Sequence, residues 1–135
     1  VDVDLPHDYI KHFPGPKLGI DGLRKAMKVY GRPMTGAVPK PKIGFTDAEH
    51  AAIGFETWMG GFDLVKDDEN LTSTKFNNFY KRVELMTKLR EKAEKMTGDN
   101  KDALLNITGE TKEMIKRAKL LHDKGWRYAM IDVVT

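Results

Sequence analysis

The feature that most constrains this chain is an alternation. Four short apolar segments with strand character, at residues 34–40, 62–66, 103–107 and 127–134, are separated by three segments whose apolar residues recur at helical spacing. Ala48, Ala52, Phe55 and Met59 mark the first intervening helix. Phe76, Phe79, Val83, Met86, Ala93 and Met96 mark the second, and Met114, Ala118 and Leu121 the third. Strands joined through helices, with no hairpin turn sequence between them, predict crossover connections and a parallel sheet. The punctuation agrees. Thr46 with Glu49 three residues on forms a capping box that opens the first helix, Gly60-Gly61 closes it, and Thr97-Gly98-Asp99-Asn100 closes the second. On pattern alone both a doubly wound sheet and a barrel remain open. In either, ligands bind at the carboxyl ends of the strands.

Upstream, Phe13-Pro14-Gly15-Pro16 interrupts regular structure, and Leu23, Met27 and Tyr30 recur at helical spacing within residues 20–30. Residues 1–33 therefore read as a linker and short helix, and residues 34–135 as an α/β domain. The 135 residues suffice for one core but fall short of the ~250 typical of a complete eight-stranded barrel.

All four strand ends are polar: Lys40-Pro41-Lys42, then Lys66-Asp67-Asp68-Glu69-Asn70, then Asn106, then Asp132. A charge run alone is usually a solvated turn. Spacing argues for more, because residues two apart in an extended segment face the same way. Lys66 and Asp68 would then project together, a bend would bring Glu69 alongside, and Lys40 and Lys42 would share a face. Cysteine is absent, so thiolate metal sites and disulfides are excluded, and oxygen ligands point to a hard cation such as magnesium. An ammonium cannot ligate a cation, but a lysine amine that has reacted with CO2 becomes an anionic carbamate. A lysine near such a cluster can move protons once its pKa is lowered, and its neighbour can hold a phosphate or enolate oxygen.

At these residues the chain resembles the large subunit of ribulose-1,5-bisphosphate carboxylase/oxygenase (RuBisCO). Lys40-Pro41-Lys42-Ile43-Gly44 is similar to that family's catalytic-lysine motif, and Gly60-Gly61-Phe62-Asp63 through Lys66-Asp67-Asp68-Glu69-Asn70 to its metal motif. Phe13-Pro14-Gly15-Pro16 with Gly19-Ile20 resembles its interdomain link, and Tyr30-Gly31-Arg32-Pro33 its lead into strand one. The resemblance implies the first half of a (β/α)8 TIM barrel, strands one to four. It implies Lys66 as the carbamylated lysine, with Asp68 and Glu69 completing the Mg2+ ligands. It makes Lys40 the acid/base lysine and Lys42 and Asn106 substrate contacts, Asn106 standing where the family has an asparagine at the end of strand three. The implied reaction takes ribulose 1,5-bisphosphate and CO2, or O2 in the oxygenase reaction, through a magnesium-stabilised enediolate; carboxylation yields two 3-phosphoglycerates. A homodimer or larger assembly is also implied.

Two departures are informative. Val38 and Pro39 replace the threonine and isoleucine of many plant-type members, as in the archaeal form III branch, so a threonine hydroxyl contact cannot be carried over. Ile131 stands where a histidine often precedes the aspartate matched by Asp132, and that position is given no catalytic role. By the resemblance the chain is an internal piece, without the lid lysine, the later histidine and the phosphate-gripping loops, and is expected to be inactive alone. The rivals are a RuBisCO-like enolase or isomerase that does not fix CO2, and a non-catalytic scaffold whose rim charges only solvate it. Retention of both Lys40 and Lys42 favours a carboxylase.

The remaining features are less specific. A net charge of +3 with acids interspersed among the bases predicts no nucleic acid partner. No apolar run approaches the ~20 residues of a membrane span, and Val1-Asp2-Val3-Asp4 lacks a signal-peptide start, which predicts a cytoplasmic protein. His7, His12, His50 and His122 show no metal-ligand spacing and read as satisfied or solvated. Trp58 reads as helix packing, and the methionines as core filler.

Overall fold

The structure, a computed structural model, describes residues 4–132. In chain order its elements are α1 (His7–Ile10), α2 (Gly19–Met27), β1 (Gly36–Ala37), α3 (Asp47–Met59), β2 (Leu64–Lys66), α4 (Phe79–Thr97), β3 (Asp102–Asn106), α5 (Thr111–Asp123) and β4 (Ala129–Met130). The four strands form one parallel sheet in the order β1-β2-β3-β4. Among the described residues that order does not reverse.

The core lies on one face of the sheet. Val65 is in register with Ala103, and these two with Leu105 pack against Ala51 and Trp58 of α3, Phe79, Val83, Met86 and Ala93 of α4, and Leu121 of α5. Leu64, Lys66 and Leu104 point to the other face and are only partly buried. Helices α3 and α4 approach closely at Gly54, where an added Cβ would lie 3.2 Å from the Met86 methyl. Trp58 is fully buried in this layer and donates its indole N–H to the Asp102 carbonyl at 3.1 Å. The methionines divide: Met27, Met86 and Met130 are buried, whereas Met96 is exposed.

Boundaries differ from the sequence reading for local reasons. The first ladder is two residues long, not residues 34–40, because Pro39 has no N–H to donate and the chain bends from Lys40. Helix α4 starts at Phe79 rather than Phe76, since the Asn78 side chain accepts the N–H groups of Tyr80 and Lys81 as an N-cap. Gly98, at φ 76°, closes α4 in the left-handed conformation that glycine adopts without strain. The ladder at β4 covers Ala129–Met130, and residues 133–134 of the expected strand lie outside the described residues. Helix α2 ends at Met27, where Lys28 turns left-handed at φ 57°. The one-turn helix α1 had no sequence signal. The Thr46–Glu49 capping box is formed in both directions.

Residues 19–32 are tied to the sheet. Asn100 donates to the Ala26 carbonyl at 2.9 Å, and Arg32 grips Asp63 through two bonds of 2.8 and 2.7 Å. Asp63 is 1% exposed and also accepts the Thr35 N–H at 2.8 Å. The Arg32 guanidinium is the main cause that holds the Asp63 carboxyl at about 2; burial opposes it and the Thr35 donors assist. A depressed carboxylate pKa contributes stability that is complete above the ordinary value near 3.8 and lost as pH falls toward 2. Asp63→Asn is expected to cost about 1 to 2 kcal/mol at pH 7, allowing for the half-exposed arginine. Urea titrations should show the gap between variant and unmodified protein closing between pH 4 and pH 2.

Candidate metal centre at the end of the second strand

Strand β2 delivers its last residues to opposite faces in turn. Lys66 leaves the helix layer, Asp67 turns into it and is fully buried, and Asp68 turns back, 2% exposed. The ladder runs on through the Asp67 N–H to the Leu104 carbonyl at 3.0 Å, and the chain then turns through a bond from the Leu71 N–H to the Asp68 carbonyl at 3.0 Å.

Two ion pairs form at this rim. Lys66 Nζ donates to Glu69 Oε1 at 2.5 Å and to the Asp67 carbonyl at 3.0 Å. Lys40 Nζ, from the end of the β1 segment, donates to Asp68 Oδ2 at 2.7 Å, while the Asn70 backbone and side-chain amides donate to Asp68 Oδ1 at 3.1 and 2.8 Å. Burial would raise the Asp68 pKa, but the Lys40 ammonium and the Asn70 amides outweigh it and hold the carboxyl well below the usual range. The hydrogen bond from Lys66 likewise lowers Glu69. Both carboxylates are thus anionic at neutral pH and present hard oxygen to a cation.

The expected site residues are only partly convergent. Lys66 and Glu69 are in contact, and Asp68 reaches toward β1 to meet Lys40. The extended alignment of Lys40 with Lys42 is not formed: residues 40–43 bend, the Lys40-Pro41 peptide is cis, and Lys42 is exposed. Asn106 is fully buried. Its Nδ2 donates to the Asp68 and Glu69 carbonyls at 3.3 and 3.0 Å and its Oδ1 accepts the Thr108 N–H, so its side chain braces the loop rather than facing the rim. The Asp132 N–H meets Thr108 Oγ1 at 2.9 Å, and Ile131 is exposed.

Among the described residues no three His, Cys, Asp or Glu side chains are placed to hold a metal ion. Glu69 lies against Lys66 and Asp68 against Lys40, and a carbamate on Lys66 would add a third anionic oxygen donor to the two carboxylates. Lys66, Asp68 and Glu69 fit magnesium chemistry on that condition.

A second cluster lies directly beneath and was not anticipated. Asp67 Oδ1 meets His50 Nε2 at 3.0 Å, and Oδ2 accepts from Arg82 Nη2 at 3.1 Å and from the Asn106 N–H at 2.9 Å. Burial would raise Asp67, and the Arg82 charge with the His50 and Asn106 contacts more than reverses that. Strand alternation held the signal: if residues 66 and 68 share the open face, residue 67 must enter the helix layer and find partners there.

A parallel sheet with helices packed on one face, carrying lysines and carboxylates at adjacent strand ends, has the form of a catalytic α/β domain. The chain belongs to the ribulose bisphosphate carboxylase large chain family, whose catalytic-domain model matches residues 19–135. It is 46% identical over 134 residues to a ribulose bisphosphate carboxylase of Pyrococcus abyssi, covering 99% of this chain and 32% of that protein. It is 50% identical to one of Methanosarcina barkeri, covering 98% of this chain and 31% of the relative. An octameric RuBisCO structure from Pyrococcus horikoshii superposes with a TM-score of 0.89 at 47% identity, over 96% of this chain and 30% of that one. A dimeric archaeal RuBisCO from Hyperthermus butylicus gives 0.89 at 43%, with the same coverage. The chain thus spans about a third of the length of these relatives.

Arg82→Met should leave Asp67 buried with its cation removed and cost about 3 to 5 kcal/mol. The double variant Arg82→Met with Asp67→Asn should recover part of that loss, which a denaturation double-mutant cycle would measure.

Proposed function

We propose that this chain is the first half of the (β/α)8 catalytic barrel of a ribulose-1,5-bisphosphate carboxylase, residues 34–135, preceded by the linker of residues 1–33. The observation that carries the reading is the pairing of Lys40 with Asp68 and Lys66 with Glu69 at adjacent strand ends, 2.7 and 2.5 Å apart. The unreversed strand order and one-sided helix layer support a barrel half.

In this reading Lys66 Nζ, after losing a proton, attacks the carbon of CO2; an N–C bond forms and a second proton leaves as the amine becomes a carbamate. The former cation then carries negative oxygen beside Asp68 and Glu69, an arrangement tolerable only around a positive ion. Bound Mg2+ would supply Lewis-acid stabilisation of negative charge developing on the substrate oxygen. Asp68 Oδ2 holds Lys40 Nζ at this rim, where Lys40 would exchange a proton with the substrate carbon next to the carbonyl. Lys42, exposed at the same rim, offsets a substrate phosphate or enolate charge. Asn106, read from the sequence as a substrate contact, acts through the loop carbonyls it holds. The octameric and dimeric relatives support assembly as a homodimer or larger.

The test uses the complete subunit. With Mg2+ and bicarbonate, chemical trapping and mass spectrometry should place a carbamate on Lys66, and Lys66→Ala should abolish both trapping and carboxylation. Lys40→Met should retain trapping while carboxylation falls by about 10²- to 10⁴-fold. Carboxylation that persists in Lys66→Ala, with Lys66 unmodified in the parent, would refute the assignment.

A further inference from the structure

We infer that His50, Asp67 and Arg82 form a clamp beneath the Lys66–Glu69 loop that sets its affinity for the divalent cation, with His50 a positioning residue whose effect can be separated from folding. This rests on the reading of that loop as the cation site.

Three elements converge on one carboxylate. His50 comes from α3, Arg82 from α4 and the Asn106 N–H from β3, at 3.0, 3.1 and 2.9 Å from Asp67. His50 is 3% exposed, and Asp67, Arg82 and Asn106 are fully buried, so none of these contacts is an incidental surface pair. An apolar residue at position 67 would fill the helix layer with no desolvation cost, and a buried ion cluster is seldom the most stable way to occupy a core. Its location accounts for it. Asp67 lies between Lys66 and Asp68, so fixing its side chain in the helix layer fixes the direction in which both neighbours leave the other face.

The clamp also reaches the other lysine loop. Arg82 donates to the Thr72 carbonyl at 2.9 Å and to Asn77 Oδ1 at 2.6 Å, and Asn77 Nδ2 donates to the Phe45 carbonyl at 3.1 Å. One guanidinium therefore ties the Lys66–Glu69 turn to the segment that follows Lys40. Magnesium demands near-ideal octahedral placement of its ligands, so small losses of this registry reduce affinity before they unfold the protein.

His50 is the member to remove, because its loss leaves Asp67 paired with Arg82 and the Asn106 N–H. In the complete protein, the fraction of Lys66 trapped as carbamate is followed against Mg2+ concentration at fixed bicarbonate. His50→Ala should raise the half-saturating Mg2+ concentration about 10-fold. His50→Gln, whose amide N–H can reach the same Asp67 oxygen, should reverse most of the shift. Leu121→Ala, a core truncation in α5, should lower thermal stability and leave the Mg2+ midpoint unchanged. A folded His50→Ala protein with the parent midpoint overturns the clamp, as does an equal shift in Leu121→Ala. Absence of Mg2+-dependent trapping in the unmodified protein instead defeats the cation-site reading, and this inference with it.

Discussion

The Asp67 carboxylate is the point on which the arrangement of this chain turns. It is held wholly inside the helix layer by a histidine, an arginine and a backbone N–H from three different elements. Such a cluster contributes little net stability, because desolvation of the ions offsets their attraction, yet losing Arg82 would expose the Asp67 carboxylate to that cost. Arg82 shows the imbalance within itself: its Nε is buried without a hydrogen-bond partner while both terminal nitrogens are engaged. What the cluster supplies is direction. It makes the end of β2, the start of α3, the start of α4 and the end of β3 one rigid unit.

How the sequence arranges this is visible in the caps. His50 and Arg82 are each the fourth residue of their helices, which begin at Asp47 and Phe79. In a strand-helix repeat the first turn of each helix lies at the same end of the layer as the strand carboxyl ends. The Thr46 capping box and the Asn78 cap fix where each helix begins, and with it the rotation that aims its fourth side chain inward. A cap one residue later would turn that side chain by about 100°. Secondary-structure punctuation therefore reaches the chemistry of the rim through helical phase.

Much of this frame can be read from residues alone, and the unread part has a common cause. Alternating strand and helix periodicity, the Thr46–Glu49 box and the stop at Gly98 are local, each set by residues within a few positions of one another. Contacts between distant segments leave no such trace. Nothing near Lys40 indicates that its ammonium meets Asp68 rather than lying beside Lys42, and nothing near Asn106 shows that its amide is spent on two carbonyls of another strand's loop. His50 was read as satisfied or solvated, and only the fold reveals its partner to be Asp67. Strand lengths failed for a related reason: a ladder requires a neighbour's backbone, and apolar composition at residues 34–40 does not say which of them find one, although Pro39 is a local signal against a longer strand.

On the proposed reading, the rim itself explains why carbamate and cation should appear together. Lys40, Lys66, Asp68 and Glu69 carry two positive and two negative charges and form two closed ion pairs, a neutral set. Carbamylation turns one positive charge negative and leaves the set with two excess negative charges, the deficit one divalent ion neutralises. Carbamate without cation would put three anionic groups side by side at a partly buried strand end, and cation without carbamate would face two lysine ammoniums. Each therefore raises the affinity for the other by the same factor, since coupling between two binding events is reciprocal. The strength of that coupling depends on how nearly Lys66, Asp68 and Glu69 point to one centre. That geometry is fixed from below, by a carboxylate whose hydrogen bonds go to none of the three.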